Sequence, residues 1–162
     1  MAAQPNLPDM EFDLEVTIDR PVGEVFAYVT DVRNVPEWQE SAVSAEWIEE
    51  GRSFRERRQF MGRTAEIKLE VTALEPERRF DVRAVGAPVK FEIHHLFEAA
   101  DEGTRLHVHG EAALGGKLRF AAGMAKRQAE RQFRGDFERL KARLEGRDEE
   151  SPSDRPPRLA EE

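Results

Sequence analysis

The sequence predicts an α+β domain in which one antiparallel sheet of seven strands wraps around a long C-terminal helix. Seven short segments are rich in apolar and β-branched residues, and turn residues such as Gly, Pro and Asp separate them. Two short helical segments stand between the first and second strands, and residues 117–145 have helical periodicity. Because a sheet with one apolar face needs a cover, the long helix is expected to pack on it.

Alternation of apolar and polar residues over 11–19 predicts the first strand, with these residues on one face: Phe12, Leu14, Val16 and Ile18. Pro21 can begin a helix because the first turn needs no N–H from it. The apolar stripe of that helix comprises Val22, Val25, Phe26 and Val29. The second short helix is predicted at residues 34–37, with Asn34 as N-cap and Glu37 completing a capping box.

The remaining strands are predicted at residues 42–49, 52–61, 64–74, 79–85, 89–99 and 104–113. Their short connections indicate antiparallel neighbours. A turn at residues 101–103 predicts the register of the last hairpin, with Phe97 opposite Leu106, His95 opposite Val108 and Ile93 opposite Gly110.

The apolar stripe of the long helix is uneven in size: Leu118, Ala122, Ala129, Phe133, Phe137, Leu140 and Leu144. Its C-terminal half can fill a core, whereas small residues, including Ala125, dominate its N-terminal half. This pattern allows two interpretations. Either a cavity lies beneath the N-terminal half of the helix, or small residues let helix and sheet pack closely.

The composition of the chain excludes several kinds of site and classes of protein. The chain has 162 residues, a formal net charge of −8 and no cysteine. The absence of cysteine excludes disulfides, thiolate metal sites and cysteine nucleophiles. The acidic balance argues against a nucleic-acid binder. No apolar run approaches the roughly 20 residues of a membrane helix, and no signal-peptide pattern is visible, so a cytoplasmic protein is expected.

The domain is predicted to span residues 11–146, with a flexible N-terminus at 1–10 and a disordered tail at 147–162. The last 17 residues, from Gly146, contain three prolines and nine charged residues. Such a segment cannot bury enough apolar surface to offset its ordering entropy.

The tail is therefore predicted to be dispensable for stability. Truncation after Gly146 should leave the melting temperature of the protein nearly unchanged. Differential scanning calorimetry of both chains checks this, and a fall of more than a few degrees would show that the tail packs on the domain.

Four segments resemble the START-like superfamily, also called SRPBCC: residues 18–38 (IDRPVGEVFAYVTDVRNVPEW), 51–63 (GRSFRERRQFMGR), 103–116 (GTRLHVHGEAALGG) and 137–145 (FERLKARLE). The order of elements is similar to the helix-grip fold, and the resemblance covers about residues 10–146. Within the superfamily the chain is most similar to bacterial polyketide cyclase/dehydrase or coenzyme Q-binding-like proteins. The resemblance implies a pocket between sheet and last helix for a hydrophobic molecule, although one fold hosts many functions.

The predicted ligand-binding residues are Trp38, Phe54, Glu56, Arg58, Phe60, Phe91, Ile93, His95, Val108, Ala122, Ala125 and Ala129. Glu56 and Arg58 share a strand face with Phe54 and Phe60. They therefore form either the polar end of the pocket or a solvated pair on an edge strand. Trp38 is either a wall or lid of the pocket or an ordinary core residue.

The four histidines lie on two strands. Strand alternation places His95 on the apolar face. There it either contacts a ligand, which it would orient or exchange protons with, or it is a core histidine bonded to the backbone. The other face holds carboxylates and the remaining histidines, His94, His107 and His109. Imidazole and carboxylate groups are both ligands of zinc. A solvated face lacks groups to orient such ligands, so neither a metal nor a cofactor is predicted.

The long helix is basic, with nine Lys or Arg against four Asp or Glu over residues 117–145. A second stripe carries Phe120, Met124, Arg127 and Arg131. This surface suits transient contact with an anionic membrane, a homodimer contact or plain solvation.

The leading functional hypothesis is a carrier or chaperone for a hydrophobic small molecule such as a lipid, quinone or polyketide. The alternative is a cyclase, aromatase or dehydratase that uses the same cavity, with His95 as candidate acid/base. A third hypothesis is a regulatory or toxin-like protein that acts through its surface. The expected partner is a small molecule rather than nucleic acid, and the chain is a monomer or homodimer.

Overall fold

The computed structural model contains a seven-stranded antiparallel sheet that curves around the C-terminal helix, as the sequence predicts. The structure describes residues 7–60, 62–85, 90–114 and 120–146. The strands are β1 (Met10–Ile18), β2 (Ala42–Glu49), β3 (Ser53–Phe60), β4 (Arg63–Glu75), β5 (Arg79–Val85), β6 (Lys90–Ala100) and β7 (Gly103–Ala113). Their order across the sheet is β1-β7-β6-β5-β4-β3-β2.

The predicted register of the last hairpin is confirmed. His95 lies opposite Val108, Phe97 opposite Leu106 and Ile93 opposite Gly110. The turns before and after β3 contain Gly51 and Gly62, each with a φ of +78°. Residues that carry a side chain rarely adopt this backbone conformation, so glycine suits both turns.

Two short helices follow β1, namely α1 (Val22–Thr30) and α2 (Val35–Trp38). The predicted capping box at α2 is wrong, because Asn34 already has a helical backbone at the end of a 3₁₀ turn and makes no side-chain cap. Tyr28 engages both residues instead. Its carbonyl accepts a hydrogen bond from Asn34 Nδ2 at 3.1 Å, and its hydroxyl donates to Glu37 Oε1 at 2.7 Å.

The long helix, α3 (Ala122–Gly146), packs on the sheet mainly through its C-terminal half. Phe137, Leu140 and Leu144 are buried there, whereas most residues from 120 to 128 are exposed. The end of α3 is fixed to β1 and the turn that follows it, since Lys141 Nζ donates to Thr17 O at 2.6 Å and Arg20 Nε donates to Leu144 O at 2.8 Å. The predicted helical residues 117–119, including Leu118, lie outside the described residues.

The packed domain begins earlier than the predicted boundary at residue 11. Leu7 is buried, Asp9 N donates to Ala112 O at 3.2 Å, and Leu114 N donates to Asp9 Oδ2 at 2.9 Å. Apolar burial and hydrogen bonds to the end of β7 therefore order residues 7–10. The predictions for residues 1–6 and for the tail at 147–162 lie outside the described part of the chain.

Candidate functional site

A cavity of about 460 Å³ lies between α3 and the concave face of the sheet. The structure therefore supports the cavity over close packing. Most of its wall is apolar and comes from six strands, the three α-helices and the 3₁₀ turn before α2: Met10, Phe12, Val29, Val32, Val35, Trp38, Phe54, Ala65, Ile67, Leu69, Phe80, Val82, Phe91, Ile93, Gly110, Ala112, Ala129, Phe133 and Phe137. This volume lies in the usual range for a small-molecule pocket.

One side of the cavity is shaped by an aromatic pair that needs a glycine. The rings of Phe12 and Phe133 are 4.8 Å apart, which joins β1 to α3. A Cβ at Gly110, on the neighbouring strand, would lie 2.3 Å from the Phe12 ring. Glycine at 110 therefore lets the Phe12 ring lie across β7 and reach the helix.

The cavity lies under the middle of α3, from Ala129 to Phe137. Ala129 lines it, and residues one turn further along add two polar side chains, Gln132 and Asp136. Ala122 and Ala125 are half-buried and do not belong to the wall. The predicted cavity beneath the small residues of the helix is therefore present at Ala129 and begins one turn later than Ala125.

Glu56 and Arg58 form a buried ion pair at one end of the cavity. The Glu56 side chain is 5% exposed and that of Arg58 is 14% exposed, and Arg58 Nε lies 2.6 Å from Glu56 Oε2. The alternative of a solvated pair on an edge strand is therefore wrong. Both residues share the inward face of β3 with Phe54, as their parity predicts.

The Arg58 guanidinium is held by polar residues before β2. It donates to Glu56, to Ser41 Oγ at 2.8 Å and to Gln39 Oε1. Gln132 Nε2 on α3 also donates to Ser41 Oγ, at 3.2 Å. Since a guanidinium has five N–H donors and these contacts use three, donors remain for a ligand oxygen.

Asp136 connects α3 to the segment between α2 and β2 at the same end. Its Oδ1 accepts hydrogen bonds from Glu40 N at 3.1 Å and Arg139 Nη1 at 3.0 Å. Burial raises the pKa of Asp136, although these two hydrogen bonds oppose the rise. The carboxyl therefore positions the polar end of the cavity.

His95 is a buried histidine bonded to the backbone. Its Nδ1 lies 2.8 Å from Phe80 O, so Nδ1 carries the proton and donates it to the carbonyl. The ring lies between Phe80 and Phe137, with centroids 5.6 and 6.0 Å away. Burial lowers the pKa of His95 to about 4. The imidazole is therefore neutral at pH 7 and poorly matched to acid/base chemistry at that pH.

The stability of the protein should depend on pH through His95. Its pKa is about 4 when folded, against 6.5 for an ordinary histidine, so the unfolded chain binds more protons between these values. This contribution is complete above pH 6.5 and is lost as the pH falls toward 4. Between pH 7.5 and pH 5 the free energy of unfolding should fall by about 2 kcal/mol on this account. Urea unfolding of the wild type and of His95→Gln at both pH values measures the difference; equal pH dependence would show that His95 is not buried neutral.

His95 and the ion pair lie on different walls of the cavity. β6 and β3 are separated by β5 and β4 in the sheet. At about 4.8 Å per strand, the two sites are roughly 14 Å apart along the sheet. A single ligand can contact both, but the three side chains do not form one compact catalytic group.

Trp38 forms part of the wall at the polar end. Its side chain is almost fully buried, and its ring centroid lies 5.0 Å from that of Phe137. Within the described residues, Nε1 of Trp38 is a buried donor with no hydrogen-bond partner. A buried donor without an acceptor is costly, so Trp38 Nε1 is a destabilising feature of the wall.

The other predicted residues are divided between the cavity and the core. Phe54, Phe91 and Ile93 line the cavity, whereas Val108 is buried in the core and does not reach it. The prediction for the Phe60 side chain lies outside the described part of the chain. Sequence reasoning missed Gln132 and Asp136, although their spacing of three and seven residues from Ala129 places them on the same helix face.

The second stripe of α3 is exposed, as predicted. Phe120 is 96% exposed and Met124 is 74% exposed, and Arg127 and Arg131 are exposed nearby. Membrane contact, homodimer contact and plain solvation remain predictions for this surface. Within the described residues, no helix combines the length and apolar character that a membrane crossing requires.

Comparisons with solved structures identify the fold. The Zhui aromatase/cyclase from Streptomyces sp. R1128 aligns with a TM-score of 0.74 and 18% identity, over 90% of this chain and 98% of that one. A START superfamily protein from Mycobacterium smegmatis aligns with a TM-score of 0.73 and 14% identity, over 83% of this chain and 97% of that one. A structural-genomics protein from Deinococcus radiodurans aligns with a TM-score of 0.66 and 23% identity, over 84% of this chain and 98% of that one.

The family follows from the sequence match rather than from these distant structures. No curated protein matches the sequence. Residues 9–145 match the model of a family described as polyketide cyclase/dehydrase and lipid transport. This range includes all seven strands, the three helices up to residue 145 and every cavity residue named above. The chain therefore belongs to the polyketide cyclase/dehydrase and lipid transport family, with a START-like fold that suits hydrophobic ligands.

Proposed function

We propose that this protein binds a hydrophobic small molecule with an uncharged oxygen group and serves as its carrier or chaperone. The observation that supports this most is the asymmetry of the cavity. Its wall is apolar along β4 and β5, but one end holds the buried guanidinium of Arg58. A ligand with an apolar body and an oxygen at one end matches this arrangement, and a lipid, a quinone or a polyketide has this form.

The charges at the polar end favour a hydroxyl or carbonyl over a carboxylate. Glu56 already neutralises Arg58 at 2.6 Å, and Asp136 is paired with Arg139 at 3.0 Å. A second anion beside Glu56 would be repelled in a region with little water. The donors that remain on Arg58 can bind a neutral oxygen.

The chemistry of His95 favours binding over catalysis. Its N–H is engaged by Phe80, its pKa is about 4, and three strand spacings separate it from the ion pair. A group matched to proton transfer at neutral pH would titrate nearer 7.

A cyclase or dehydratase of the polyketide type is the second candidate, and Glu56 is the observation that favours it. This carboxylate is almost fully buried and lines the cavity, where a bound ketone would lie within its reach. Turnover of an aromatic polyketide analogue by the wild type, lost in Glu56→Gln while binding persists, would favour the enzyme over the carrier.

A titration with an uncharged fluorescent lipid analogue, a long-chain alcohol that carries a fluorophore, tests the proposal. The wild type should bind the probe saturably with one site per chain, and an excess of a long-chain alcohol or a quinone should displace it. Displacement by the alcohol should be stronger than by the carboxylate of equal length, because Glu56 repels the anion. Absence of saturable binding, or failure of every apolar competitor, would contradict the proposal.

A further inference from the structure

A cluster of histidines and carboxylates lies on β6 and β7, with Glu92 and Glu111 at the border of the cavity and His94 and His109 outside it. His94 of β6 lies directly opposite His109 of β7, and their rings stack with centroids 6.0 Å apart. Two residues along the same pair of strands, Glu92 lies directly opposite Glu111. Two carboxylates at directly opposed positions repel each other, so a cation between them would be stabilising. His109 Nε2 contacts Glu111 Oε1 at 3.0 Å, which leaves the other oxygen of Glu111 for an ion.

His94 is oriented by a buried carboxylate. Its Nδ1 lies 2.9 Å from Oδ2 of Asp81 on the neighbouring strand, and Asp81 is 2% exposed. The same oxygen accepts from Arg79 Nη2 at 2.6 Å, which fixes its position. Nδ1 of His94 is thus the donor nitrogen, and Nε2 remains available on the side of Glu92, 3.8 Å from Oε2. A carboxylate behind a histidine is the usual outer support of a metal ligand.

This support changes the interpretation of the histidine face. The sequence alone predicts a solvated surface with nothing to orient the rings. In the structure, Asp81 and Arg79 fix His94, and the side chains of His94, Glu92 and Glu111 are only 29%, 23% and 26% exposed. The cluster is therefore half-buried and oriented.

The potential ligand atoms of this cluster converge. One atom from each of Glu92, His94 and Glu111 lies within 4.8 Å of the others. A second set, formed by Glu11, His109 and Glu111, meets the same condition but is more open, because Glu11 is 56% exposed. Glu111 belongs to both sets.

We propose that Glu92, His94 and Glu111 bind one divalent transition-metal ion, with Asp81 positioning His94. One imidazole nitrogen and two carboxylate oxygens suit Zn²⁺, with solvent completing its coordination. The ion joins β6 to β7 and neutralises the opposed carboxylates, so it stabilises the pairing of these two strands.

His107 provides a matched control on the same face. It also lies between two carboxylates, with Nδ1 3.3 Å from Glu15 and Nε2 3.2 Å from Glu98. Different ring nitrogens make these two contacts, so the carboxylates lie on opposite edges of the ring. They cannot converge with one nitrogen on a single ion.

Isothermal titration of the metal-free full-length chain with Zn²⁺, in competition with a chelator of known affinity, tests this site. The wild type should bind one ion. His94→Gln and Glu92→Gln should each weaken binding at least about tenfold, whereas His107→Gln should change it less than about twofold. Circular dichroism establishes that each variant is folded. As a second readout, Zn²⁺ should raise the melting temperature of the wild type and of His107→Gln but not of His94→Gln.

Three results would overturn the site. Wild-type affinity in His94→Gln and Glu92→Gln would exclude both as ligands. Equal losses in His107→Gln and His94→Gln would indicate nonspecific binding by surface histidines. Loss of binding in His109→Gln, with His94→Gln unaffected, would place the ion in the more open set.

Discussion

Replacing Ala129 by Phe should abolish binding of the uncharged fluorescent lipid analogue and leave the melting temperature within about 2 °C of the wild type. Ala129 lines the cavity from α3, so the added ring would occupy space meant for the ligand. In a close-packed site the same change would cost about 1–3 kcal/mol. Probe fluorescence and calorimetry on the same preparations measure the two effects.

Ala125→Phe is the matched control for this substitution. Ala125 lies one turn earlier on α3, is half-buried and does not line the cavity. We expect this variant to bind the probe like the wild type. If Ala129→Phe is strongly destabilised and the wild type takes up no probe, the space under α3 is closed, and the protein acts through its surface.

Replacing Arg58 by Ala should cause the largest loss of stability among single substitutions in the polar end of the cavity. The change would leave Glu56, with a side chain 5% exposed, without its cation. Removing one partner of a buried ion pair typically costs about 3–5 kcal/mol. For a chain of this size, that corresponds to a fall in melting temperature on the order of 10 °C. Urea unfolding gives the free energy directly.

Two further variants test whether the loss of stability comes from an unpaired buried charge rather than from the loss of an arginine. Arg55→Ala removes an arginine from the outward face of β3, where its side chain is 41% exposed and pairs with Glu46 and Glu66, so it should cost less than about 1 kcal/mol. The double variant Glu56→Gln with Arg58→Met should recover most of the lost stability, because no unpaired charge remains. If Arg58→Ala is as mild as Arg55→Ala, the ion pair is solvated and the cavity has no polar end.

The sheet could be predicted from the sequence because its signals are local. Alternation along each strand and Gly or Asp in the turns are properties of neighbouring residues. The register of the last hairpin follows from its turn, which is why His95 was placed opposite Val108. Strand alternation also predicts that Glu56 and Arg58 lie on the same face of β3 as Phe54.

The position of the cavity depends on contacts between distant residues, which local patterns do not encode. Whether Glu56 and Arg58 are buried is decided by Gln39 and Ser41 before β2 and by Gln132 on α3. The small residues of α3 indicate a cavity but not which of them reach it: Ala129 lines the wall, whereas Ala122 and Ala125 do not. The support of His94 by Asp81 likewise requires the pairing of β5 with β6.

Native mass spectrometry of the protein purified from its own host, without detergent, tests the central claim most directly. If the cavity carries a hydrophobic molecule, the wild type should show a noncovalent adduct that is released on collisional activation and recovered in an organic extract. Ala129→Phe from the same host should lack the adduct, and Ala125→Phe should retain it. A wild type that carries no adduct, and gains none after incubation with a lipid extract of that host, would contradict the claim.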